Sequence, residues 1–410
     1  MAQLPDGELA PLNGELPASA AVDSQLRTFH AYLHIPFCKV RCGYCDFNTY
    51  TSSELRGVTQ NSFLDNLLAE IRFSRGVLSN LSITDREFST VFFGGGTPSL
   101  LSPQAIDKLI TGFRMLLPLS PQAEITLEAN PGTVDAARFA AFRAAGVTRL
   151  SLGIQSFNDE SLHALGRIHD RAQAISAIEA AAQHFDTFNL DLMVGLPQQD
   201  TAAALADINQ ALAFNPPHFS CYQLTLEPHT PFAAAPPAHL PDDDTCAEIQ
   251  DQLEARLAEA GYTHYETSAF ALPGHQCRHN LNYWTFGDYL GIGPGAHSKL
   301  TNHEGARRQM RHKSPKAYLA AAASGNFVQT DEPVLHIDLT GEFMMNALRL
   351  NEGFGIELYE RYTGLPWLVV SRQVDAAVRD GFLEWAILNK HLRPTIKGRR
   401  FLNVLLQRFL

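Results

Sequence analysis

The chain has 410 residues, 45% of them hydrophobic and 18% charged, with a formal net charge of −11. This composition is that of a folded globular protein with a large core, and the length predicts two or three structural units. The acidic balance argues against general nucleic-acid binding, and six cysteines are too few for a disulfide framework. We therefore expect a protein of the reducing cytoplasm.

The first 28 residues have neither the basic start nor the apolar stretch of a signal peptide. They are rich in Pro, Gly, Ala and Ser, a composition that predicts a disordered tail over residues 1–28. In the rest of the chain, charged residues, glycines and prolines interrupt the apolar runs well before the ~20 residues that a transmembrane helix needs. The sequence therefore predicts no membrane span.

Short apolar runs alternate with helical patterns from residue 29 to about residue 270. The predicted strands are AYLHIPF, STVFF, EITLEA, VTRLSLGI, TFNLDLMV and HFSCYQLTL. Each is followed by a helical segment, and most of these segments have apolar residues at i, i+3 and i+4, the pattern of a helix that packs on one face of a sheet. Six strand-then-helix units in a row predict an α/β fold with a parallel sheet, which we interpret as an incomplete (β/α)6 barrel of the TIM type.

Polar or glycine-rich features follow these strands where each strand ends. Cys38, Cys42 and Cys45 come after the first strand, and GGGTPS (94–99) comes after the second. The later strands end at Glu128, Gln155, Asp191, and Thr225 with Glu227. Polar residues at strand ends are ordinary taken singly, but thiols, glycines and acids that converge on the carboxyl rim of a parallel barrel favour a functional site.

The composition changes after residue 300. We divide the chain into the tail, the barrel with an extension (29–300), a linking segment with a helix (301–339) and a C-terminal domain (340–410). In the last range, helices lead into a short strand and a basic turn, which is a winged-helix-like pattern in a mainly helical unit. Such units bind nucleic acid or dock partners, and the acidic whole disfavours nucleic acid.

Three cysteines within eight residues allow several interpretations. A zinc site needs a fourth ligand, which His34 or His30 would supply at an unfamiliar spacing. A redox disulfide between Cys42 and Cys45 leaves Cys38 without a role. A [4Fe–4S] cluster held by three thiolates leaves one iron open, and the amino acid part of S-adenosylmethionine is a natural chelator for it.

The CxxxCxxC spacing and the GGGTPS segment resemble the radical-SAM superfamily. Moreover, HIPFC, CDFN, FGGGTPS, EANP, GIQSF, LGRIH and DLMVGLP follow the order found in its oxygen-independent coproporphyrinogen oxidase branch, and the similarity extends over nearly the whole chain. A nucleotide P-loop would need a Gly-Lys-Ser/Thr ending, which GGGTPS lacks. The resemblance implies a radical-SAM barrel with a [4Fe–4S] cluster on Cys38, Cys42 and Cys45.

The same resemblance implies a binding site for S-adenosylmethionine. Residues 94–97 should hold its methionine end, Arg167 its carboxylate and Asp191 its ribose hydroxyls, while Glu128 and Gln155 should reach other polar groups. The residues implied as contacts are Tyr32, Tyr44, Gly94, Gly95, Gly96, Thr97, Glu128, Gln155, Arg167 and Asp191. The alternatives are helix caps or ion pairs for the acids and a solvated helix position for Arg167.

Two features point within the branch to its heme-chaperone group. Its oxidases have an additional cysteine two positions after the third cluster thiol, where this chain has Phe47. The HNxxYW signature of the heme-chaperone group is present as well, and imidazole and aromatic rings suit a metalloporphyrin. The implied heme residues are His279, Asn280, Tyr283 and Trp284, with His275, Cys277 and His297 as nearby candidates. The alternative is a hydrogen-bonded histidine among core aromatics.

The resemblance therefore implies a cytoplasmic carrier that binds heme and delivers it to acceptor proteins, including respiratory enzymes at the membrane. It leaves open a peripheral position at the membrane and a homodimer. In this interpretation the cluster regulates heme transfer or dimerisation. The enzyme alternatives are decarboxylation of coproporphyrinogen III to protoporphyrinogen IX, which the absence of a thiol at Phe47 opposes, and another radical-SAM modification of a tetrapyrrole.

Overall fold

The computed structural model describes residues 29–55, 57–386 and 390–410, so the predicted tail lies outside the described residues. Its strands are β1 (Phe29–Ile35), β2 (Phe37–Cys38), β3 (Tyr50–Thr51), β4 (Phe88–Gly95), β5 (Leu119–Ala129), β6 (Arg149–Gln155), β7 (Phe188–Val194), β8 (His218–Gln223), β9 (Thr263–Glu266), β10 (Ala269–Ala271), β11 (Asp288–Ile292), β12 (His297–Asn302), β13 (Gly305–Arg311), β14 (Val328–Pro333), β15 (Phe354–Gly355), β16 (Leu383–Ala386) and β17 (His391–Pro394).

The helices of the described residues are α1 (Gln60–Asn80), α2 (Pro103–Leu116), α3 (Ala136–Ala144), α4 (Asp159–Ala164), α5 (Arg171–His184), α6 (Thr201–Leu212), α7 (Pro231–Ala234), α8 (Asp243–Glu259), α9 (Arg278–Trp284), α10 (Pro315–Ala323), α11 (His336–Ala347), α12 (Ile356–Thr363), α13 (Leu368–Arg379), α14 (Ile396–Arg400) and α15 (Leu402–Leu406). Single 3₁₀ turns follow β4 and β5, at Pro98–Leu100 and Pro131–Thr133. No helix in this part of the chain is both long and apolar enough to cross a membrane.

A curved parallel sheet forms the body of the described chain. Strands β1, β4, β5, β6, β7 and β8 pair in parallel in chain order, with helices between them, which confirms the predicted six-unit barrel. Strand β11 adds in parallel beside β1, and antiparallel strands extend both edges to give the order β14-β13-β12-β11-β1-β4-β5-β6-β7-β8-β10-β9. Among the described residues, the two edge strands β14 and β9 do not pair with each other, so the barrel is incomplete.

Alternation along the strands separates an apolar core from a polar interior. In β1, Ala31 and Leu33 are fully buried in the main hydrophobic cluster between sheet and helices. Tyr32 and His34, at the alternate positions, point to the opposite face, because successive side chains of a strand alternate. There Tyr32 and His34 lie 3.3 Å apart, from the phenol oxygen to Nδ1. This polar interior is where the site is built.

The C-terminal part has its own hydrophobic cluster, centred on Phe343 and Tyr359. Helices α11, α12 and α13 pack beside a small antiparallel sheet of order β15-β17-β16, which is a winged-helix-like arrangement as predicted. The range 301–339, predicted as a linking segment, contains β13, α10 and β14, and β13 pairs with both β12 and β14 of the main sheet. The exact domain boundaries remain predictions.

Candidate functional site

A cavity of about 360 Å³ opens at the carboxyl ends of the parallel strands, and we call it the rim cavity. It brings together residues that the sequence places far apart. The predicted site residues in its wall are Cys38, Cys42, Tyr44, Cys45, Gly95, Gly96, Thr97, Glu128, Gln155, Arg167 and Asp191. The convergence follows from the fold, because parallel strands end at one edge of the sheet.

Three half-buried thiols line one side of the rim cavity. The Sγ of Cys38 lies 3.7 Å from the Thr97 hydroxyl, and the Sγ of Cys42 lies 3.8 Å from the carbonyl oxygen of Gly166. Burial raises the pKa of Cys38, and it raises the pKa of Cys45 to about 11. These two thiols are therefore protonated at neutral pH, and a metal that binds them must displace the protons.

The arrangement of the thiols fits a cluster better than a single ion. In the described ranges, no three His, Cys, Asp or Glu side chains are placed to hold one metal ion. The histidines considered as zinc ligands are engaged elsewhere, since His34 Nε2 lies 2.8 Å from the Asn48 carbonyl oxygen and His30 Nδ1 lies 2.8 Å from the Thr90 hydroxyl. An iron–sulfur cube distributes its thiolates over different irons, so they need not meet at one point.

The glycine segment packs against the backbone that leads into the cysteine loop (residues 38–50). The N–H of Gly96 donates to the Ile35 carbonyl at 2.8 Å, and a Cβ on Gly96 would lie 2.6 Å from the Phe37 carbonyl oxygen. Gly95 has a φ of +108°, and its N–H donates to Glu128 Oε2 at 3.0 Å. A larger residue at position 96 would push this edge away from the thiols, so glycine is required there.

Two buried carboxyl groups lie on neighbouring walls. Burial and the nearby Asp191 raise the pKa of Glu128 to about 8, although the hydrogen bond from Gly95 opposes the shift. Burial also raises the pKa of Asp191, to about 6, against hydrogen bonds from Asn189 and Ser151. At neutral pH, Glu128 is therefore mostly protonated and can donate, while Asp191 is mostly ionised and accepts.

A guanidinium and an amide complete the rim cavity. Arg167 donates from Nη2 to the Gly153 carbonyl at 2.7 Å, and its buried Nε has no hydrogen-bond partner among the described residues. Gln155 ends β6 with a φ of +69°, which is uncommon for a residue with a side chain, and its Oε1 accepts from Tyr222 at 2.8 Å. Backbone strain of this kind is concentrated at functional sites.

A second cavity of about 240 Å³, the inner chamber, lies deeper in the barrel. Glu128, Ser151, Asp191 and Phe47 line both cavities, so the two are adjacent. The remaining residues of the inner chamber are Tyr32, Phe92, Arg149, Asn189, Ser220, His279, Asn280 and Tyr283. Three residues of the HNxxYW segment thus meet the predicted cofactor residue Tyr32 inside the barrel.

His279 is held inside the barrel by α9, which packs against β4. It is 1% exposed, its Nδ1 lies 2.7 Å from the Thr90 hydroxyl, and its Nε2 lies 3.0 Å from the Tyr283 hydroxyl. Its ring stacks on Phe92 at a centroid distance of 4.9 Å. Burial lowers its pKa well below the usual value, so the imidazole is neutral, but both ring nitrogens are already engaged.

Some predicted residues lie outside both cavities. Gly94 faces Tyr32 instead, because a Cβ there would lie 2.8 Å from the Tyr32 ring. The Trp284 ring lies under the Arg349 guanidinium at 4.2 Å. Of the further heme candidates, His275 contacts Thr187, Cys277 is buried, and His297 is exposed on β12.

Sequence reasoning missed Arg149, Phe92 and Tyr222 as cavity residues. The signal was present in β6, where Arg149, Ser151, Gly153 and Gln155 occupy alternate positions of the strand RLSLGIQ. A polar alternation of this kind in an otherwise buried parallel strand indicates a polar barrel interior.

This fold and this rim define a protein of the radical SAM class. The model of the radical SAM superfamily matches residues 32–208, and the model of the HemN C-terminal domain matches residues 334–401. The solved structure titled coproporphyrinogen III oxidase (HemN) from Escherichia coli has a TM-score of 0.78 and 23% identity, and the match covers 95% of this chain and 92% of that one. At this identity, the similarity shows the shared fold.

Comparison with curated relatives identifies the family within the radical SAM class. Proteins named heme chaperone HemW from Escherichia coli and Haemophilus influenzae are each 44% identical over 386 residues, which is 92% of this chain and 97% of the relative. HemW from Mycobacterium tuberculosis is 38% identical over 348 residues. The chain belongs to the HemW family of radical SAM proteins.

Proposed function

We propose that this protein binds a [4Fe–4S] cluster, S-adenosylmethionine and heme, and that it transfers the heme to acceptor proteins. The observation that carries the proposal is the near full-length similarity to relatives named heme chaperones. The rim cavity supports the cofactor part, because it combines three thiols with a glycine edge and a partly unpaired guanidinium.

In this proposal, Cys38, Cys42 and Cys45 hold the cluster. When bound, the cluster supplies an electron and an open iron that an amino acid can chelate. Each protein group then has a task that suits its chemistry. The glycine edge lets the backbone approach the methionine part, and the Arg167 guanidinium binds the carboxylate. Asp191 accepts from ribose hydroxyls, whereas protonated Glu128 donates.

Heme is the cargo, and we assign its recognition to the HNxxYW segment and the surfaces next to it. We place the transfer in the cytoplasm, with respiratory enzymes at the membrane among the acceptors. A homodimer regulated by the cluster would be compatible with this role. The neutral state of His279 suits a role beside heme. Before one of its ring nitrogens can bind iron, the hydrogen bond of that nitrogen to Thr90 or Tyr283 must break.

Oxidative decarboxylation of coproporphyrinogen III is the second candidate function. The fold of a coproporphyrinogen oxidase favours it, but the side chain at position 47 opposes it. Phe47 borders both cavities and can supply no thiol, hydrogen bond or proton. We therefore prefer the carrier function.

One paired experiment separates the two functions. The full chain is reconstituted anaerobically, titrated with hemin, and assayed in parallel for decarboxylation of coproporphyrinogen III with S-adenosylmethionine and a reductant. We expect stoichiometric heme binding, transfer of that heme to an apo-heme protein, and no protoporphyrinogen. Turnover to protoporphyrinogen would contradict the carrier function.

Matched variants test the assigned residues. Cys42→Ser should abolish the cluster absorbance, whereas Cys246→Ser, on helix α8, should leave it unchanged. His279→Ala should weaken heme binding, and His275→Ala, four residues earlier, should not. Heme titrations of His279→Ala that match the wild type would remove this residue from the proposal.

A further inference from the structure

The inner chamber contains a buried cation, the guanidinium of Arg149. Arg149 is 2% exposed and lines the chamber, and its Nε has no hydrogen-bond partner within the described residues. A buried donor without an acceptor costs free energy, and a guanidinium carries five N–H groups in a planar fork. An acceptor group that enters the chamber and binds the guanidinium would offset part of this cost.

The nearby carboxylates do not supply that partner. Glu124 accepts from the backbone N–H groups of Arg278 and His279, at 3.3 and 3.2 Å, and so caps the start of α9. Asp191 accepts from the Asn189 amide at 2.7 Å and from the Ser151 hydroxyl at 3.2 Å. Both acids compensate the Arg149 charge at a distance, but their hydrogen bonds go to other donors.

We propose that the inner chamber is a receptor for a carboxylate group, bound by the Arg149 guanidinium. A guanidinium binds a carboxylate through two parallel N–H···O hydrogen bonds, and this geometry makes the pair both strong and directional. Asn280 lies in the same wall and adds an amide donor. Arg149, together with Asn280 of the HNxxYW segment, then binds the carboxylate group of a ligand.

The size of the chamber limits what enters it. Its volume of about 240 Å³ lies below the ~300–1,000 Å³ of pockets that enclose a whole small-molecule ligand. A carboxylate arm fits, and the body of a larger ligand stays outside. Phe47 borders the chamber, is 55% exposed, and offers a ring on which a flat macrocycle can pack.

The carboxylate can come from either of two sources. One is a propionate arm of heme, and for this source the inference rests on the proposed function. The other is a free small carboxylate. The two sources share the chemistry at Arg149 and differ in whether a macrocycle contributes to binding.

The test compares three ligands on the reconstituted full chain: hemin, hemin dimethyl ester and free propionate. Binding is followed by absorbance for the two hemins and by calorimetry for propionate. With heme as the source, we expect wild-type protein to bind hemin about ten- to a hundredfold more tightly than the ester, which has no carboxylate. With a free carboxylate as the source, we expect measurable binding of propionate.

Variants then connect the effect to one residue. Arg149→Gln should weaken the binding of hemin, or of propionate, by about ten- to a hundredfold. It should leave the affinity for the ester unchanged. Arg149→Lys keeps the charge but loses the fork, so its affinity should lie between those of wild type and Arg149→Gln. Arg278→Gln removes an exposed positive charge next to the motif and should have no effect. Retained cluster absorbance shows that each variant is folded.

The outcomes separate this inference from the proposed function. Equal affinities of wild-type protein for hemin and its ester, together with no Arg149-dependent binding of propionate, would overturn the inference and leave the carrier function standing. If the protein does not bind hemin but binds propionate in a way that depends on Arg149, the carrier function would be overturned and the inference would stand. Preference for hemin over its ester, lost in Arg149→Gln, would support both.

Discussion

Two buried carboxyl groups, Glu128 and Asp191, share the rim cavity, and the nearby Asp191 raises the pKa of Glu128. The pKa of Glu128, raised to about 8, keeps this side chain neutral where an exposed glutamate would be ionised. The cost of ionising it is partly the burial and partly the proximity of Asp191. Of this buried pair, therefore, one carboxyl group is negative near neutral pH rather than two.

This difference predicts a pH-dependent stability of the ligand-free protein. The folded state holds the Glu128 proton up to about pH 8, while the unfolded chain releases it near pH 4.5, so the free energy of unfolding falls as pH rises between these values. Glu128→Gln should remove the Glu128 contribution to this decline, while the contribution of Asp191, whose pKa is also raised, remains. We expect the variant to be more stable than wild type at pH 8, by on the order of 1–4 kcal/mol, and similar at pH 4.

Urea denaturation at both pH values measures the effect. Glu248→Gln, at an exposed position of α8, is the matched control and should show no such pH-dependent difference. A Glu128→Gln variant whose stability falls with pH in parallel with wild type would mean that Glu128 does not retain its proton.

Contacts between elements hold the cysteine loop in place. Asn48 donates from Nδ2 to the carbonyls of Pro294 and Lys313, at 3.0 and 2.9 Å, and accepts from the Tyr50 hydroxyl at 3.1 Å. Pro294 lies in the turn between β11 and β12, so this one side chain joins the thiol-bearing loop to the segment that follows β11, the strand beside β1. The CDFN motif therefore has a structural role beside its cysteine.

Asn48→Asp tests this link with little change in shape. The carboxylate would face two carbonyl oxygens and could donate to neither, so we expect the loop to open more often and the cluster to lose iron faster, by about tenfold or more. The measurement is the rate of iron transfer from reconstituted protein to a chelator. Asp46→Asn, an exposed change in the same loop, should leave the rate unaltered. Equal rates for Asn48→Asp and wild type would show that the loop does not depend on this link.

Across the whole molecule, a buried ion pair connects distant parts of the chain. Arg311 on β13 donates from Nε to Glu70 on α1 at 2.6 Å, and both side chains are fully buried. Glu70 also accepts from the Tyr318 hydroxyl at 2.5 Å and from the Gly293 N–H at 2.8 Å. The first helix of the barrel is thereby joined to the strands and the helix that follow the HNxxYW segment.

Removal of one partner should destabilise the whole protein. We expect Arg311→Met to lower the free energy of unfolding by about 3–5 kcal/mol, because it leaves the buried Glu70 side chain without its ionic partner. The double variant Glu70→Gln/Arg311→Met should regain part of this loss. The exposed pair Arg393–Glu384 is the control, since Arg393→Met should cost about 1 kcal/mol or less. Urea denaturation decides between these values, and a loss below 1 kcal/mol for Arg311→Met would contradict the role of the pair.

Local patterns in the sequence were sufficient for much of the architecture. The alternation of apolar runs and helical segments predicted the parallel barrel, and the C-terminal pattern predicted the winged-helix-like unit. Both predictions were possible because the hydrophobic periodicity of strands and helices is visible in residues that are close together in the sequence. Most of the rim residues could be anticipated for a related reason, since they lie at or just after the carboxyl end of a recognisable strand and parallel strands end together; Asp191 instead lies within β7, and Arg167 follows α4. Membership in the HemW family was also readable, from Phe47 and the HNxxYW segment.

Only the tertiary structure decided what lies beneath the rim. His279 meets Thr90 across 189 residues of sequence, and Arg149 reaches the same chamber from another strand. Local sequence periodicity cannot predict such long-range contacts, because they depend on the curvature of the sheet and on where α9 packs. The sequence by itself determined the thiols, the glycine edge and the order of the strands. The engaged ring nitrogens of His279, and the Arg149 Nε that has no hydrogen-bond partner among the described residues, depend on burial, which exists only in the folded chain.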